Sequence, residues 1–316
     1  MPTLEAIVLE HIHELDSQSA AFREDMTLIA RRWRQVIIDD LLGHDFQGKL
    51  ASEQISLISR KLGDQLVRLG YPELAGEYLL TFVESEAYAS ALSRVTVPLG
   101  HAETIMGSTP LPANLAKQLR DFDYSAFTAE IGPAATRVIA KELALSAIVG
   151  KKRSDILETV ESHIGSFAEN ASSYADTALR TFDRVVSMET WDEAGIDRFR
   201  YFGPADNRNR PFCSSHVGKT YDLSAIRTMS NGAGRWSDVL RYGGGLRCRH
   251  VWAPVVSERS DLRPAEQLSD WDTILQEERS RVGADRAAYR RAQAKYYRDN
   301  ADLLTKGVDV QVGWSE

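Results

Sequence analysis

Cysteine is scarce in this sequence, and long hydrophobic runs are missing from it. Two cysteines occur among 316 residues, which is too few to hold a fold together by disulfide bonds, so we expect synthesis in a reducing compartment. No run approaches the roughly 18 apolar residues that a membrane-spanning helix needs, and no basic region followed by a hydrophobic one opens the chain. The sequence therefore predicts a protein made in a cytoplasm, with no membrane partner.

The overall composition is that of an ordinary globular protein. Hydrophobic residues make up 43% of the chain and charged residues 26%, a balance that excludes disordered and fibrous classes. A length of 316 residues predicts two domains and enough chain for a packed core.

Charge is distributed unevenly along the chain. The net charge is -7, yet residues 195–256 contain ten basic and four acidic side chains, so this segment carries +6 and the remainder -13. A basic module on an acidic body suits a partner of negative charge. The alternative is that these arginines solvate a small irregular domain, and the charge pattern leaves both interpretations open.

The first 195 residues predict a helical body in two groups. Apolar residues recur at intervals of three and four over residues 17–42 and 55–69, the spacing of amphipathic helices. Helices are also expected over 73–95, 115–124, 133–149 and 154–188, and a stretch rich in proline and glycine near 97–112 separates the two groups. His11 and His13, in the N-terminal segment, have a spacing that puts them on different helix faces and are expected to be exposed to solvent.

The character of the sequence changes near residue 195. Helical periodicity gives way to short candidate strands at 199–202, 219–222 and 250–256. We therefore predict a mainly α fold, in which long amphipathic helices (1–195) are followed by a small α+β module containing Cys and His (196–256). A charged helix and tail (257–316) complete the chain, and a helix so polar is typical of a surface or a subunit contact.

Two compact motifs in the module carry most of the information. The first reads G-P-A-D-N-R-N-R-P-F-C over 203–213 and precedes G-K-T-Y, and the second reads G-G-L-R-C-R-H-V-W-A-P-V over 244–255. This pattern resembles the C-terminal module of the phage Mu F-like minor head proteins, the phage head morphogenesis family. The resemblance covers about 60 residues clearly, and about 100 if the preceding helix with Arg180, Phe182 and Arg184 is included.

Two thiols and two imidazoles in the motifs form a candidate metal site. Cys213 and His216 are separated by two residues, and Cys248 and His250 by one, so together they offer the ligands of a tetrahedral structural zinc ion. Other family members often place a second cysteine where this chain has His216. Two alternatives stay open: both cysteines are small buried side chains with their histidines bonded to the backbone, or they form a disulfide.

Charged, glycine and aromatic residues of the module each have a structural and a functional interpretation. The charged residues are predicted to close the module through Asp–Arg pairs or to contact phosphate, and they are Asp206, Arg208, Arg210, Arg247 and Arg249. The Gly243–Gly245 run lacks the residues of a phosphate-binding loop and predicts a turn with positive φ. Five aromatic residues, which are Tyr201, Tyr221, Trp236, Tyr242 and Trp252, are expected to form the core rather than a stacking surface for nucleic acid.

No catalytic signature accompanies these residues. A zinc deaminase would need His-x-Glu and Pro-Cys-x-x-Cys, which this chain lacks. The resemblance implies a virion structural protein without enzymatic activity: a minor capsid protein bound to the portal and other head proteins, in an oligomeric assembly, that acts in head morphogenesis and DNA packaging or ejection. Its location would be the virion after synthesis in the bacterial cytoplasm, and packaged DNA is a further expected partner. The alternative functions are a metal-dependent enzyme or a DNA-binding adaptor acting on nucleic acid.

Overall fold

A computed structural model describes residues 4–40, 52–82, 84, 85, 88, 89, 111–149, 151–193 and 195–255. The helices in chain order are α1 (Leu4–Asp40), α2 (Ser52–Arg68), α3 (Tyr71–Leu80), α4 (Leu111–Ser125), α5 (Gly132–Val149), α6 (Arg153–Glu193), α7 (Pro211–His216), α8 (Leu223–Thr228) and α9 (Val239–Tyr242), with a π-helical segment at Ala126–Ile131 and a 3-10 turn at Gly234–Trp236. The strands are β1 (Arg198–Phe202), β2 (Thr220–Asp222) and β3 (Val251–Pro254).

This architecture confirms the predicted fold class of long helices followed by a small α+β module with a Cys/His cluster. The predicted charged helix and tail at 257–316 lie outside the described residues, as does most of the connection at 97–112. None of the helices in the described ranges has the length and apolar character that a bilayer crossing requires. By their contacts the residues divide into two compact units, and the boundaries predicted at residues 195 and 256 stay a prediction.

One unit comprises residues 21–78, 122–172 and 288–316, of which the last range is not described. Its core holds the apolar faces expected from the sequence, because α1 buries Phe22, Met26 and Trp33. Phe167 of α6 contacts Trp33 edge-on, with ring centroids 5.3 Å apart. Aromatic pairs in this geometry add stabilisation to the burial of their area.

The π-helical segment of this unit is held by a tyrosine from α3. The hydroxyl of Tyr71 donates a hydrogen bond of 2.9 Å to the carbonyl oxygen of Phe127. The same oxygen also accepts the backbone N–H of Gly132, five residues on, as a π-helical turn requires, so both of its lone pairs are used. Burial of Tyr71 raises the pKa of its hydroxyl, which stays a hydrogen-bond donor.

The other unit comprises residues 1–20, 79–121 and 173–287 and contains the module. Its three strands form an antiparallel sheet in the order β2-β1-β3, with Arg200 opposite Thr220 on one side and Ala253 on the other. The strands lie within one residue of their predicted starts. The alternation of buried and partly exposed positions along β1 places Phe199 and Tyr201 in the core.

The first turns of α1 belong to this same unit, and here the sequence-based expectation for His11 was wrong. The helix begins at Leu4 rather than near residue 17, and Val8 and Ile12 pack with Val251 and Ala253 of β3. His11 lies on this buried face and is 4% exposed. His13 faces outward as expected.

Candidate metal centre

Three side chains from the two sequence motifs converge in the module. Cys213 lies in the short helix α7, whereas Cys248 and His250 lie in the segment that leads into β3. The sulfur atoms of Cys213 and Cys248 are 3.8 Å apart, and the Cys248 sulfur is 3.7 Å from Nδ1 of His250. All three ligand atoms lie within 4.8 Å of one another, an arrangement that could hold a metal ion.

The imidazole of His250 is already oriented as a ligand. Its Nε2 lies 3.0 Å from the carbonyl oxygen of Pro204. A carbonyl oxygen only accepts hydrogen bonds, so Nε2 carries the hydrogen, and in the neutral ring Nδ1 presents its lone pair towards Cys248. Backbone carbonyls that fix the tautomer in this way are the usual outer contacts of metal-binding histidines.

Two adjacent glycines allow the backbone to approach the thiols. Gly243 has φ of +55°, as the sequence predicted for this run, and a Cβ there would lie 2.9 Å from the Cys248 sulfur. A Cβ on Gly244 would lie 2.2 Å from the Cys213 sulfur. Both positions therefore require glycine, the first for its conformation and for space, the second for space.

The two thiols are electrostatically different. The hydrogen bond between the thiols holds the pKa of Cys248 well below its ordinary value, against the effect of burial, and the nearby guanidinium of Arg184 contributes to this. The same hydrogen bond, together with burial and the charge on Cys248, raises the pKa of Cys213. The pair therefore loses its first proton more easily than its second, which gives a thiolate, the form that a metal binds.

Arg184 of α6 binds the backbone around the cluster. It is buried, and it donates hydrogen bonds to the carbonyl oxygens of His250 at 2.8 Å, of Arg241 at 3.0 Å and of Cys248. All three acceptors are backbone atoms of the second motif and the helix α9 before it. The fixed fork of the guanidinium suits three separate acceptors, a geometry that a lysine does not provide.

The charged residues of the motifs form the contacts that close the module. Nη2 of Arg249 donates to both carboxylate oxygens of Asp206, at 2.6 and 2.7 Å, which joins the second motif to the first. Asp206 also accepts from the backbone N–H of Arg208, and Arg210 donates to the carbonyl oxygen of Leu246. The hydrogen bond from Arg249 and the one from Arg208 lower the pKa of Asp206.

Arg247 makes contacts outside the module, with helix α6. Its backbone has φ of +57° and its N–H donates to the hydroxyl of Thr177 at 3.2 Å. Its guanidinium lies 3.6 Å from the carboxylate of Asp176, which also accepts from Arg180 at 2.9 Å. Burial alone would raise the pKa of Asp176, but the charge and hydrogen bond of Arg180 lower it.

His216, the fourth ligand candidate from the sequence, lies outside the cluster of three. Its Nδ1 is 2.8 Å from the carbonyl oxygen of Phe212, one turn earlier in α7, and its ring stacks on the ring of Phe212. Within the described residues the group that could hold a metal ion is therefore Cys213, Cys248 and His250. A spacing of two residues placed His216 near Cys213 in sequence, but the short helix directs it to a different neighbour.

The aromatic residues of the module divide into two groups. Tyr201 and Trp252 are fully buried and belong to the core together with Cys213 and Cys248. Tyr221, Trp236 and Tyr242 are partly buried, and Arg235 lies over the Trp236 ring at 4.8 Å. The expectation of a core role therefore applies best to the first pair.

A buried ion pair near the module was missed by sequence reasoning. Nε2 of His11 lies 2.7 Å from the carboxylate of Asp183, and its ring stacks on Tyr88 with centroids 3.6 Å apart. Burial alone would lower the pKa of His11, but the charge and hydrogen bond of Asp183, together with Glu14, raise it to about 9. Asp183 directly precedes Arg184 in the sequence, and no local pattern indicates His11, 172 residues away, as its partner.

Comparisons of the chain with protein-family models, with curated proteins and with solved structures gave no match.

Proposed function

We propose that this protein is a non-enzymatic virion component, a minor head protein of a tailed bacteriophage that acts at the portal vertex in head morphogenesis and in DNA packaging or ejection. One observation carries the proposal. The two motifs that resemble the Mu F-like module, although about thirty residues apart in sequence, meet at Cys213, Cys248 and His250 within 4.8 Å. Two motifs that matched the family pattern by chance would not be expected to lie next to each other in the folded chain.

The proposed ion in this module is zinc. Two sulfur ligands and one imidazole are a donor set that zinc takes. With Zn–S of about 2.3 Å and Zn–N of about 2.0 Å, tetrahedral angles separate two sulfurs by about 3.8 Å and a sulfur from a nitrogen by about 3.5 Å. Two of the distances here, 3.8 Å for the two sulfurs and 3.7 Å from Cys248 to His250, are close to these values, and the third pair, Cys213 and His250, lies within 4.8 Å.

Burial of the ligands supports a structural rather than a catalytic ion. Cys213, Cys248 and His250 are 2%, 3% and 2% exposed, and the backbone of Gly244 approaches the Cys213 sulfur. Structural zinc sites have four protein ligands, whereas catalytic sites have three and keep a position for water or substrate. It is therefore the burial of the three ligands, and not their number, that favours a structural ion. A small module with short elements gains folding free energy from a bound ion.

Packaged DNA is the proposed anionic partner of the module. Seven of its cations are exposed, and they are Arg198, Arg208, Arg210, Lys219, Arg227, Arg235 and Arg241. Three of the seven are paired with a carboxylate, Arg198 with Asp222, Arg227 with Asp192 and Arg241 with Asp238. Contacts between such side chains and phosphates release counterions, so binding of duplex DNA should weaken steeply as salt rises.

The experiment that tests this function is incorporation into particles. A tagged copy of the gene is expressed in a host that assembles the phage, and purified particles are analysed by mass spectrometry and electron microscopy. We expect few copies per particle, located at the portal vertex, and fewer with Cys248→Ser than with the exposed helical control Gly165→Ala. Particles that lack the tagged protein would refute the proposal.

A further inference from the structure

Tyr201 lies at the centre of the ligand cluster, although neither motif includes it. It is in β1, the middle strand of the sheet, and is 0% exposed. Its hydroxyl oxygen is 3.1 Å from the sulfur of Cys248 and 3.6 Å from the sulfur of Cys213. Its ring stacks on the imidazole of His250, with centroids 5.0 Å apart and an angle of 11° between the planes. One side chain thus contacts all three candidate ligands.

The hydroxyl can have only one role towards metal-bound sulfur. A cysteine that ligates a metal is a thiolate and has no hydrogen to donate. The single hydrogen of the Tyr201 hydroxyl is therefore donated to the nearer sulfur, that of Cys248 at 3.1 Å, while the sulfur of Cys213 lies 3.6 Å from the same oxygen. Charge-assisted hydrogen bonds of this kind are stronger than neutral ones.

The ring of Tyr201 fixes the plane of the third ligand. His250 is held at one edge by its hydrogen bond to Pro204 and on one face by Tyr201. Tyr201 is itself packed against Phe212 and Trp252. Neighbours that hold their own rotamers fixed in this way are what a precise metal site needs.

We propose that Tyr201 is the positioning residue of the metal centre, because its hydroxyl donates to the sulfur of Cys248 and contacts that of Cys213, while its ring holds the imidazole of His250. This inference rests on the zinc centre proposed above. Loss of an outer hydrogen bond of this kind weakens metal affinity about 10- to 100-fold, so a loss in this range is expected from removal of the hydroxyl alone.

The test compares Tyr201→Phe with wild type in the full chain. Phenylalanine retains the ring against His250 and removes only the hydroxyl. Zinc affinity is measured by competition with a chromophoric chelator, and Co²⁺ is then bound in place of zinc so that its sulfur-to-metal charge-transfer band can be recorded. We expect weaker zinc binding and a charge-transfer band at lower energy, because sulfurs without the hydrogen bond release electron density more readily.

Tyr221→Phe is the matched control, because Tyr221 lies in the adjacent strand β2 and its ring packs against His216 and Trp252. We expect this variant to keep the wild-type affinity and spectrum. An unchanged affinity and band in Tyr201→Phe would overturn the positioning role and leave the zinc centre standing. Absence of zinc uptake by the wild-type protein would overturn both, whereas particle incorporation tests the virion function separately.

Discussion

The contact between Gly244 and the Cys213 sulfur gives a prediction that depends on a single added methyl group. A Cβ at Gly244 would lie 2.2 Å from that sulfur, 3.5 Å from the Cys248 sulfur and 3.6 Å from the Tyr201 hydroxyl. Nonbonded heavy atoms in contact rest about 3.5 to 4.0 Å apart. The Gly244→Ala substitution therefore requires a relative movement of more than about 1 Å.

The surroundings resist that movement. The Cys213 sulfur is 3.8 Å from the Cys248 sulfur and 3.6 Å from the Tyr201 hydroxyl, so moving it separates the candidate ligands. Overpacking of a dense core costs about 1 to 3 kcal/mol, and we expect a loss near 3 kcal/mol in the free energy of unfolding. Zinc uptake should be lost as well, because the donor atoms no longer fit one ion.

Urea unfolding followed by tryptophan fluorescence measures this loss, since Trp191 and Trp252 lie in the same core as the cysteines. Gly165→Ala is the control: a Cβ at this exposed position in α6 meets no atom within 4 Å. Alanine should raise stability there by about 0.5 to 1 kcal/mol. If Gly244→Ala unfolded at the same urea concentration as the wild type and bound zinc equally well, the close approach of the Gly244 backbone to the Cys213 sulfur would be refuted.

Three further predictions concern other buried groups. The pKa of His11 rises from 6.5 in the unfolded chain to about 9 in the folded one, so its pair with Asp183 should add about 3 kcal/mol to the free energy of unfolding. This contribution should be complete below pH 6.5 and should be lost as the pH rises through 9. The free energy of unfolding of His11→Gln, measured from pH 6 to 10, should lack this pH dependence, and a profile identical to that of the wild type would contradict the prediction. Arg184→Met leaves backbone carbonyls without their donor, so calorimetry should show a loss of about 3 kcal/mol in the free energy of unfolding. A variant as stable as the wild type would disprove the stabilising role of the three hydrogen bonds from the guanidinium. Diamide should oxidise the metal-free thiols of Cys213 and Cys248 to a disulfide, with transfer of two protons and two electrons to the diamide, whereas bound zinc should protect the thiols. Mass spectrometry would show the loss of two hydrogens from the oxidised protein. Equal oxidation in the presence of zinc would argue against ligation of one ion by both cysteines.

Much of the fold could be predicted from the sequence, because the local spacing of apolar residues indicates most of its helices and strands. The stripe through Phe22, Met26 and Trp33 recurs at helical spacing and is buried. The beginning of α1 was placed too late, since its first turns contact β3 through Val8 and Ile12. That contact joins residues far apart in the chain and leaves no mark on the local pattern.

The candidate site was only partly predictable. Cys213, Cys248 and His250 follow from residue type, whereas the exclusion of His216 depends on the direction that α7 gives its side chain. Tyr201 was expected in the core, but its hydroxyl contacts with sulfur depend on the register of β1 against β3. Spacing along a chain does not encode such contacts.

The three hydrogen bonds of the Arg184 guanidinium limit which sequence changes residues 241–250 can accept. Its acceptors are main-chain oxygens of residues 241, 248 and 250, and every amino acid supplies that atom. Replacement of the side chain at Arg241 would thus be invisible to the guanidinium, whereas one inserted or deleted residue between positions 241 and 250 would displace an oxygen from its reach. The hydrogen bonds of Arg184 therefore constrain the length of that segment more than the identity of its residues.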